Sequence, residues 1–554
     1  MDKTGHGERA AKFRPFAAFS LIWACTALVH LLSFSFWMES WQGWVVVISA
    51  IACIVRSDCV MRFTVLVIAS LLHLWQKLPF VPNHILFEGM LHIMLLIGLI
   101  GFFLRREGRD AFAESGRVWK SRLLLVVVAG AAKAAYFAIP VIPHGYLLGA
   151  ITTLFLLYAL GRLLFHKERV KSGEVVFSEV APVLRLALFF TYLWAAIQKL
   201  NYDYLNPEVS CAAQLHMKIA SYFGDIIPTD TWALQVAIYG SFLFEFGIPI
   251  LLYLPKTRFL GFAAAVWFHL WLAIHPAAGI FSFSSLILAM LFVFLPVTWG
   301  EQLQKIWSAQ LRWVGRGNIA RGRGIATKLV IFGFFACLTS QALLYLLIDR
   351  SYVVFYSANR IGFVAFFVWG CWIGGCYLLA GVRGRIFKSR LPNRFHWNWA
   401  CLGLILVVTN GLYPWIGGRT QTSFSMYSNL RSEGTGNHTF LKRVDLLPYQ
   451  KDMVEVLESE PNIFAPAKKP RGIQQFANQG HTIIPYFEFR RLVSEMEGDV
   501  SISYIRGDDE MLLSRNEGII VGDTEAFEPL PVLKAKFLWF RRLATLDGPM
   551  ECTH

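Results

Sequence analysis

A few side chains that can carry or move a proton fall inside long apolar runs of this 554-residue chain. An ionisable group at membrane depth is costly, so each is a functional candidate by default. Lys199 ends the apolar run at 182–199, in the stretch Tyr192-Leu-Trp194-Ala-Ala-Ile-Gln-Lys199. A lysine there can extend its ammonium to the headgroups. Held instead against an apolar wall, its charged form is disfavoured and it can act as a base. Lys133 and Glu245 sit near the middle of their runs, where neither reaches water easily. As opposite charges they are read as an ion pair joining two helices, with catalysis as the other option. His84, Glu88 and His92 are spaced i, i+4, i+8 and so share one helix face. That stripe reads as a hydrogen-bonded polar seam in preference to a metal site. There is no H-E-x-x-H, and no metal is expected.

The elements that must position these groups are apolar helices. Hydrophobic residues make up 55% of the chain and charged residues only 16%, against about 25% charged in ordinary soluble domains. That balance excludes a disordered chain and does not fit a soluble enzyme. Thirteen apolar runs lie near 16–36, 43–56, 63–75, 83–104, 123–142, 146–165, 182–199, 232–254, 259–275, 279–298, 329–348, 361–381 and 399–416. Several reach the ~20 residues that cross hydrocarbon. The net charge of +15 lies in the short loops between these runs, not on a nucleic-acid-binding face. With the N-terminus inside, the inner segments hold 29 Lys and Arg, while the outer loops before residue 418 hold only Lys77, Lys218, Arg350 and Arg360. This positive-inside asymmetry places residues 418–554 outside. On the same topology His30, His73, His84, Glu88, Lys199, His269 and His275 all fall toward the outer ends of their runs. They outline a polar cavity opening outward.

From residue 418 the composition turns soluble. Val500–Arg506 alternates as a strand does, and Gly518–Val521 suggests another. Met453–Glu460 and Phe487–Met496 read as short helices. The expected fold is therefore an all-α polytopic membrane bundle of about thirteen helices with a small, mixed or mostly β extramembrane domain. The expected organisation is a first transmembrane domain at 1–300, further membrane helices at 301–417 and the outer domain at 418–554. Nine cysteines without a C-x-x-C pair predict neither a zinc framework nor a disulfide lattice. No phosphate-binding loop, G-x-S-x-G or dinucleotide fingerprint is present.

Around Lys199 the residues resemble a known family. Tyr192-Leu-Trp-Ala-Ala-Ile-Gln-Lys-Leu-Asn-Tyr-Asp203 is similar to the segment of the vitamin K-dependent gamma-carboxylase and its bacterial relatives, the HTTM (horizontally transferred transmembrane) family. Phe244-Glu-Phe-Gly-Ile-Pro-Ile-Leu251 resembles the family's Glu-x-x-x-Pro helix. Phe268-His-Leu270, Gly279-Ile-Phe-Ser-Phe-Ser and Phe292-Val-Phe-Leu-Pro296 resemble its His-containing helix and the next one; Asn83-His84 fits its early polar helix. The likeness spans roughly residues 16–300. Gln198 stands where the animal enzyme has a second lysine, and Gln421–Gly434 is closer to the bacterial relatives.

The resemblance implies a chemistry. A lysine, here Lys199, deprotonates a vitamin K-like hydroquinone; oxygen and carbon dioxide are co-substrates. On the reading favoured here His269 assists as a catalytic residue, and it, His84 and Glu88 position groups or relay protons. His84, Glu88, Tyr192 and Trp194 would bind the substrate, and Glu245 would be a structural or electrostatic partner. The hydroquinone would enter from the bilayer, and a peptide or protein substrate from the outer face. The expected function is a quinol-dependent carboxylase or epoxidase of a bacterial inner membrane, with residues 418–554 in the periplasm. Two other classes remain open: a carrier using the same outward cavity, and a non-catalytic membrane anchor or assembly factor.

Overall fold

The computed structural model describes residues 13–33, 40–104, 173–274, 280–347, 352–384, 391–392, 395–434, 439–464, 482–543, 545–546, 548–550 and 552. The apolar runs at 123–142 and 146–165, with Lys133, lie outside these residues, as does His275.

In hydrocarbon every backbone N–H and C=O must find a partner within the segment, so apolar sequence becomes helix. The helices, in chain order, are α1 (Pro15–Ser33), α2 (Trp41–Val55), α3 (Val60–Lys77), α4 (Asn83–Leu104), α5 (Gly173–Gln198), α6 (Tyr202–Leu205), α7 (Cys211–Phe223), α8 (Thr231–Tyr253), α9 (Arg258–Ala273), α10 (Ile280–Leu291), α11 (Val297–Val314), α12 (Ile319–Leu347), α13 (Tyr352–Arg383) and α14 (Cys401–Leu412). Among the described residues six helices are long and apolar enough to cross a membrane: α1, α4, α5, α8, α12 and α13. A seventh span arises if the bent pair Ile280–Phe294 and Val297–Val314 is taken as one. The apolar segments Trp41–Val55, Arg258–Ala273 and Cys401–Ile416 are shorter. Thirteen full spans are therefore not what the described residues contain. The runs at 43–56 and 259–275 become helices of 15 and 16 residues, under the ~20 that a straight crossing takes.

The chain divides into two compact units. The first holds Met1–His73, Gly89–Leu186 and Ile250–Leu404. Its centre is aromatic: Phe19 packs its ring on Trp23, Phe63, Phe177 and Phe292. Several of its buried polar groups are paired with one another or with backbone carbonyls. Trp23 donates to His92 Nε2 at 3.0 Å, and His30 Nε2 meets the Ser282 carbonyl at 2.8 Å. Arg185 is buried and donates to the carbonyls of Val293 (2.6 Å) and Pro392 (2.9 Å). The first of these carbonyls lies where the helix breaks ahead of Pro296 and helical partners run out.

The second unit holds Leu74–Glu88, Ala187–Pro249 and Ile405–His554. Its C-terminal part is a five-stranded antiparallel sheet in the order β2-β1-β3-β4-β5, from β1 (Met453–Glu460), β2 (Ile483–Pro485), β3 (Val500–Arg506), β4 (Asp509–Asn516) and β5 (Ile519–Val521). Helix α15 (Tyr486–Ser494) covers it, and Val454, Ile484, Phe489, Val493, Ile502, Tyr504 and Leu513 form the core. The strand predicted at 500–506 is β3, and the predicted helix at 487–496 is α15. Met453–Glu460 is a strand, not a helix. Its helix-favouring Met, Leu and Glu yield to pairing with neighbours on both sides, β2 and β3.

The stretch 418–434 is neither helix nor strand, yet most of it is buried. Thr422, Phe424, Tyr427 and Asn429 take positive φ. Side chains replace the missing ladder: carbonyls of Thr422, Ser425, Leu430 and Gly418 accept from Asn410, Arg541 (twice) and Gln450 at 2.6–2.9 Å. A buried segment without regular structure must satisfy its backbone this way.

Candidate functional site

At the end of α5 the helix gives out one residue before Lys199. Lys199 and Leu200 close it with backbone bonds to Ala196 and Ile197 at 3.1 and 3.0 Å, and Asn201 folds back on the Lys199 carbonyl at 2.9 Å. Asn201 then caps the next turn, α6, by accepting the Tyr204 N–H at 2.7 Å. The loop is fastened by its flanking amides. Gln198 donates to the carbonyls of Gly411 (2.9 Å) and Ser423 (3.2 Å), and Asn201 to that of Ser428 (2.7 Å). The irregular segment 418–434 thus holds the residues on both sides of Lys199.

Lys199 is 5% exposed. Its Nζ donates to both oxygens of Glu245, at 2.6 and 2.5 Å, and lies 5.7 Å from the centre of the Tyr204 ring. The Tyr204 hydroxyl is hydrogen-bonded to Ser241 Oγ, one turn before Glu245 on α8. Burial, and after it the Glu245 charge, pushes the Tyr204 phenol up, so it stays neutral and able to donate. Tyr192 is buried within electrostatic reach of Glu245. The site is therefore an ammonium–carboxylate pair flanked by two phenols.

This corrects the picture of a lone lysine facing an apolar wall. The wall carries a carboxylate, and both its oxygens are on Lys199. Glu245, read from the sequence as the partner of Lys133, is engaged by Lys199; Lys133 lies outside the described residues. Hydropathy resolves neither depth nor rotation, and the Lys199 side chain reaches Glu245, fifteen positions into α8.

The other expected residues fall as follows. Trp194 packs on Gly411, where an added Cβ would come within 2.1 Å of its ring. Gly411→Ala is therefore expected to displace the ring and cost about 1–3 kcal/mol, read as a lower thermal midpoint with a shifted tryptophan emission. His84 is buried in the first turn of α4, and Glu88 follows one turn later. His92, the third member of that stripe, belongs to the first unit, as the acceptor of Trp23. His269 also belongs to the first unit, fully buried, with Ser284 Oγ 3.5 Å from its Nδ1 and the rings of Phe268 and Phe283 against it. Among the described residues no three His, Cys, Asp or Glu side chains converge as a metal site.

Reading the sequence missed Tyr204, Ser241 and the clamp at Gln198 and Asn201. Only Asn201 left a trace, as a capping residue at the start of a helical turn. It also missed a disulfide, Cys211–Cys552, with Cα atoms 4.9 Å apart and a sequence separation of 341. No local spacing marks such a pair; folding alone brings it together. Around it, Asn429 accepts the Cys211 N–H at 2.7 Å and donates to the Met550 carbonyl at 2.8 Å, and the Met550 N–H donates to Asp203 at 3.0 Å.

Comparison with known families adds one match: the HTTM domain model covers residues 142–299. Lys199, Glu245, Tyr204, Ser241 and His269 all lie within that range. No curated protein and no solved structure matches the chain.

Proposed function

We propose that the HTTM domain at 142–299 houses a membrane-embedded proton-transfer site acting on a lipid-soluble hydroquinone or a similar acidic hydroxyl, in the manner of a quinol-dependent carboxylase or epoxidase. The observation that carries this reading is the two-oxygen contact of Glu245 with Lys199 at 2.5–2.6 Å. A substrate hydroxyl can give its proton to Lys199 once the lysine has passed its own to Glu245. Alternatively, it can give the proton directly to Glu245. Both routes end in one state: a protonated Glu245, an ammonium at Lys199 and a substrate oxyanion beside it. That cation against a developing anion is what lowers the barrier in a low-dielectric site. Neutral Tyr204, its hydroxyl held by Ser241 Oγ, borders the pair without adding charge, and apolar surroundings keep out water that would quench the anion. Tyr192, Trp194, His84 and Glu88 remain our candidates for holding the substrate, and His269 for assisting proton movement. Oxygen, carbon dioxide and a peptide or protein acceptor belong to the same proposal.

Membrane placement follows the charge pattern: N-terminus inside, about thirteen crossings, and 418–554 on the periplasmic side of a bacterial inner membrane. The Cys211–Cys552 bond supports it, because disulfides persist in oxidising compartments and both cysteines fall in segments assigned outside.

The test is to purify the protein in detergent and supply a short-chain naphthohydroquinone under oxygen and bicarbonate. The epoxide and any carboxylated glutamyl peptide are then quantified by mass spectrometry. Wild type is expected to form epoxide and Lys199→Ala to lose it. Equal product from both would remove Lys199 from the mechanism.

A further inference from the structure

We infer that the helical hairpin joining α11 to α12 is a docking surface for the headgroups of anionic phospholipids. From Gln302 to Lys328 the chain carries Lys305, Arg312, Arg316, Arg321, Arg323 and Lys328 and no Asp or Glu. All six cations are exposed. Among the described residues none of the six makes an ion pair or a side-chain hydrogen bond. Such a concentration of one sign, left unneutralised by the protein, repels itself and attracts an anionic partner.

The frame beneath these charges is rigid. The bent pair turns by 119° at its break, so α11 leaves the direction of the helix before it. Trp299, Leu303 and Ile306 are its buried side. The turn that follows is tight: Gly317 donates to the Arg312 carbonyl at 2.7 Å and Gly315 to that of Leu311 at 2.9 Å. Asn318 Oδ1 caps the start of α12 through the Arg321 N–H at 3.0 Å. Backbones touch across the hairpin, since a Cβ on Gly322 would lie 1.8 Å from the Leu311 carbonyl oxygen. Only glycine fits there, and the backbone positions that carry the cations are held at fixed mutual spacing.

Two features select lipid over a soluble anion. The hairpin runs straight into a span, with Arg321, Arg323 and Lys328 preceding the apolar run that starts at Leu329. Its cations therefore stand at headgroup depth, where long basic side chains keep their stems in apolar surroundings and their charges among phosphates. Trp313, at the same end, is 85% exposed. An amphipathic ring so placed is suited to the membrane–water boundary.

The experiment is native mass spectrometry of the full-length protein released from detergent with equimolar phosphatidylglycerol and phosphatidylcholine. A second arm adds inorganic phosphate, and a third a short RNA oligonucleotide. The variant carries Arg312→Gln, Arg316→Gln, Arg321→Gln and Arg323→Gln together, with Lys218→Gln as a control elsewhere. Each cation at an anionic membrane surface is worth about fivefold in binding. Wild type and the control are expected to retain phosphatidylglycerol at least tenfold over phosphatidylcholine, and the fourfold variant to lose that preference with an unchanged thermal midpoint. The inference is overturned by equal retention of the two lipids in wild type, or by full retention in the variant. Displacement of the lipid by millimolar phosphate, or by RNA, also overturns it.

Discussion

Glu245→Leu is expected to lower the stability of the protein by about 3–5 kcal/mol, and Lys199→Met added to it to restore most of that loss. The reasoning is electrostatic. Lys199 is 5% exposed and its partner's side chain 14%. Removing either member strands the other as an uncompensated charge, whereas removing both leaves apolar side chains of similar volume. A double-mutant cycle on thermal or denaturant unfolding in detergent measures the coupling. Strictly additive single effects would mean that the two groups do not depend on each other. Activity is expected to behave differently from stability. The stable double variant should be as inactive as Lys199→Ala, with a loss of about a hundredfold to ten-thousandfold, the range for a positioned acid–base group. Glu245→Gln separates the roles further. It keeps a hydrogen-bond acceptor for the ammonium but cannot store a proton. If Glu245 only steadies Lys199, the glutamine variant should retain turnover; if it takes the proton, turnover should fall as far as in Lys199→Ala.

How much of this site could be read in advance depends on what each residue type betrays. Lys199 and Glu245 were each visible, because a charge in an apolar run is conspicuous wherever it lies. Their pairing was not, since the run at 182–199 and the run at 232–254 say nothing about their rotation toward each other. Tyr204 and Ser241 were invisible for the opposite reason: both are ordinary residues in partly apolar surroundings, and only proximity to Glu245 gives them a role. The segment 418–434 looked like the start of a soluble domain, since Thr, Ser, Asn and Arg are common on surfaces. Here these polar side chains are buried because they stand in for secondary structure, and Arg541, more than a hundred residues on, supplies two of the bonds. In the sheet, Val500–Arg506 declared itself by strict alternation, with Val500, Ile502 and Tyr504 buried. Met453–Glu460 did not, because both faces are buried at its start (Met453 and Val454), burial fades along the strand and its composition favours helix.

Cys211→Ser or Cys552→Ser is expected to cost about 2–5 kcal/mol and to loosen the C-terminal end of the chain. The bond closes a loop of 341 residues, long enough that its loss releases considerable unfolded-state entropy. The surrounding hydrogen bonds share the consequence. Asn429 links Val209, Cys211 and Met550, and Arg431 donates to the Gly548 carbonyl at 2.6 Å. Once the disulfide is gone, these contacts must hold residues 545–552 by themselves. Limited proteolysis of the purified protein should then remove the C-terminal residues from the variants before it does so in wild type. Thiol labelling without reductant gives the complementary readout. Cys211 and Cys552 should react only after reduction. Labelling of Cys211 in protein kept free of reductant would show that the bond does not form. The proposed outward placement of residues 201–231 and of the C-terminal domain would then rest on the distribution of Lys and Arg alone.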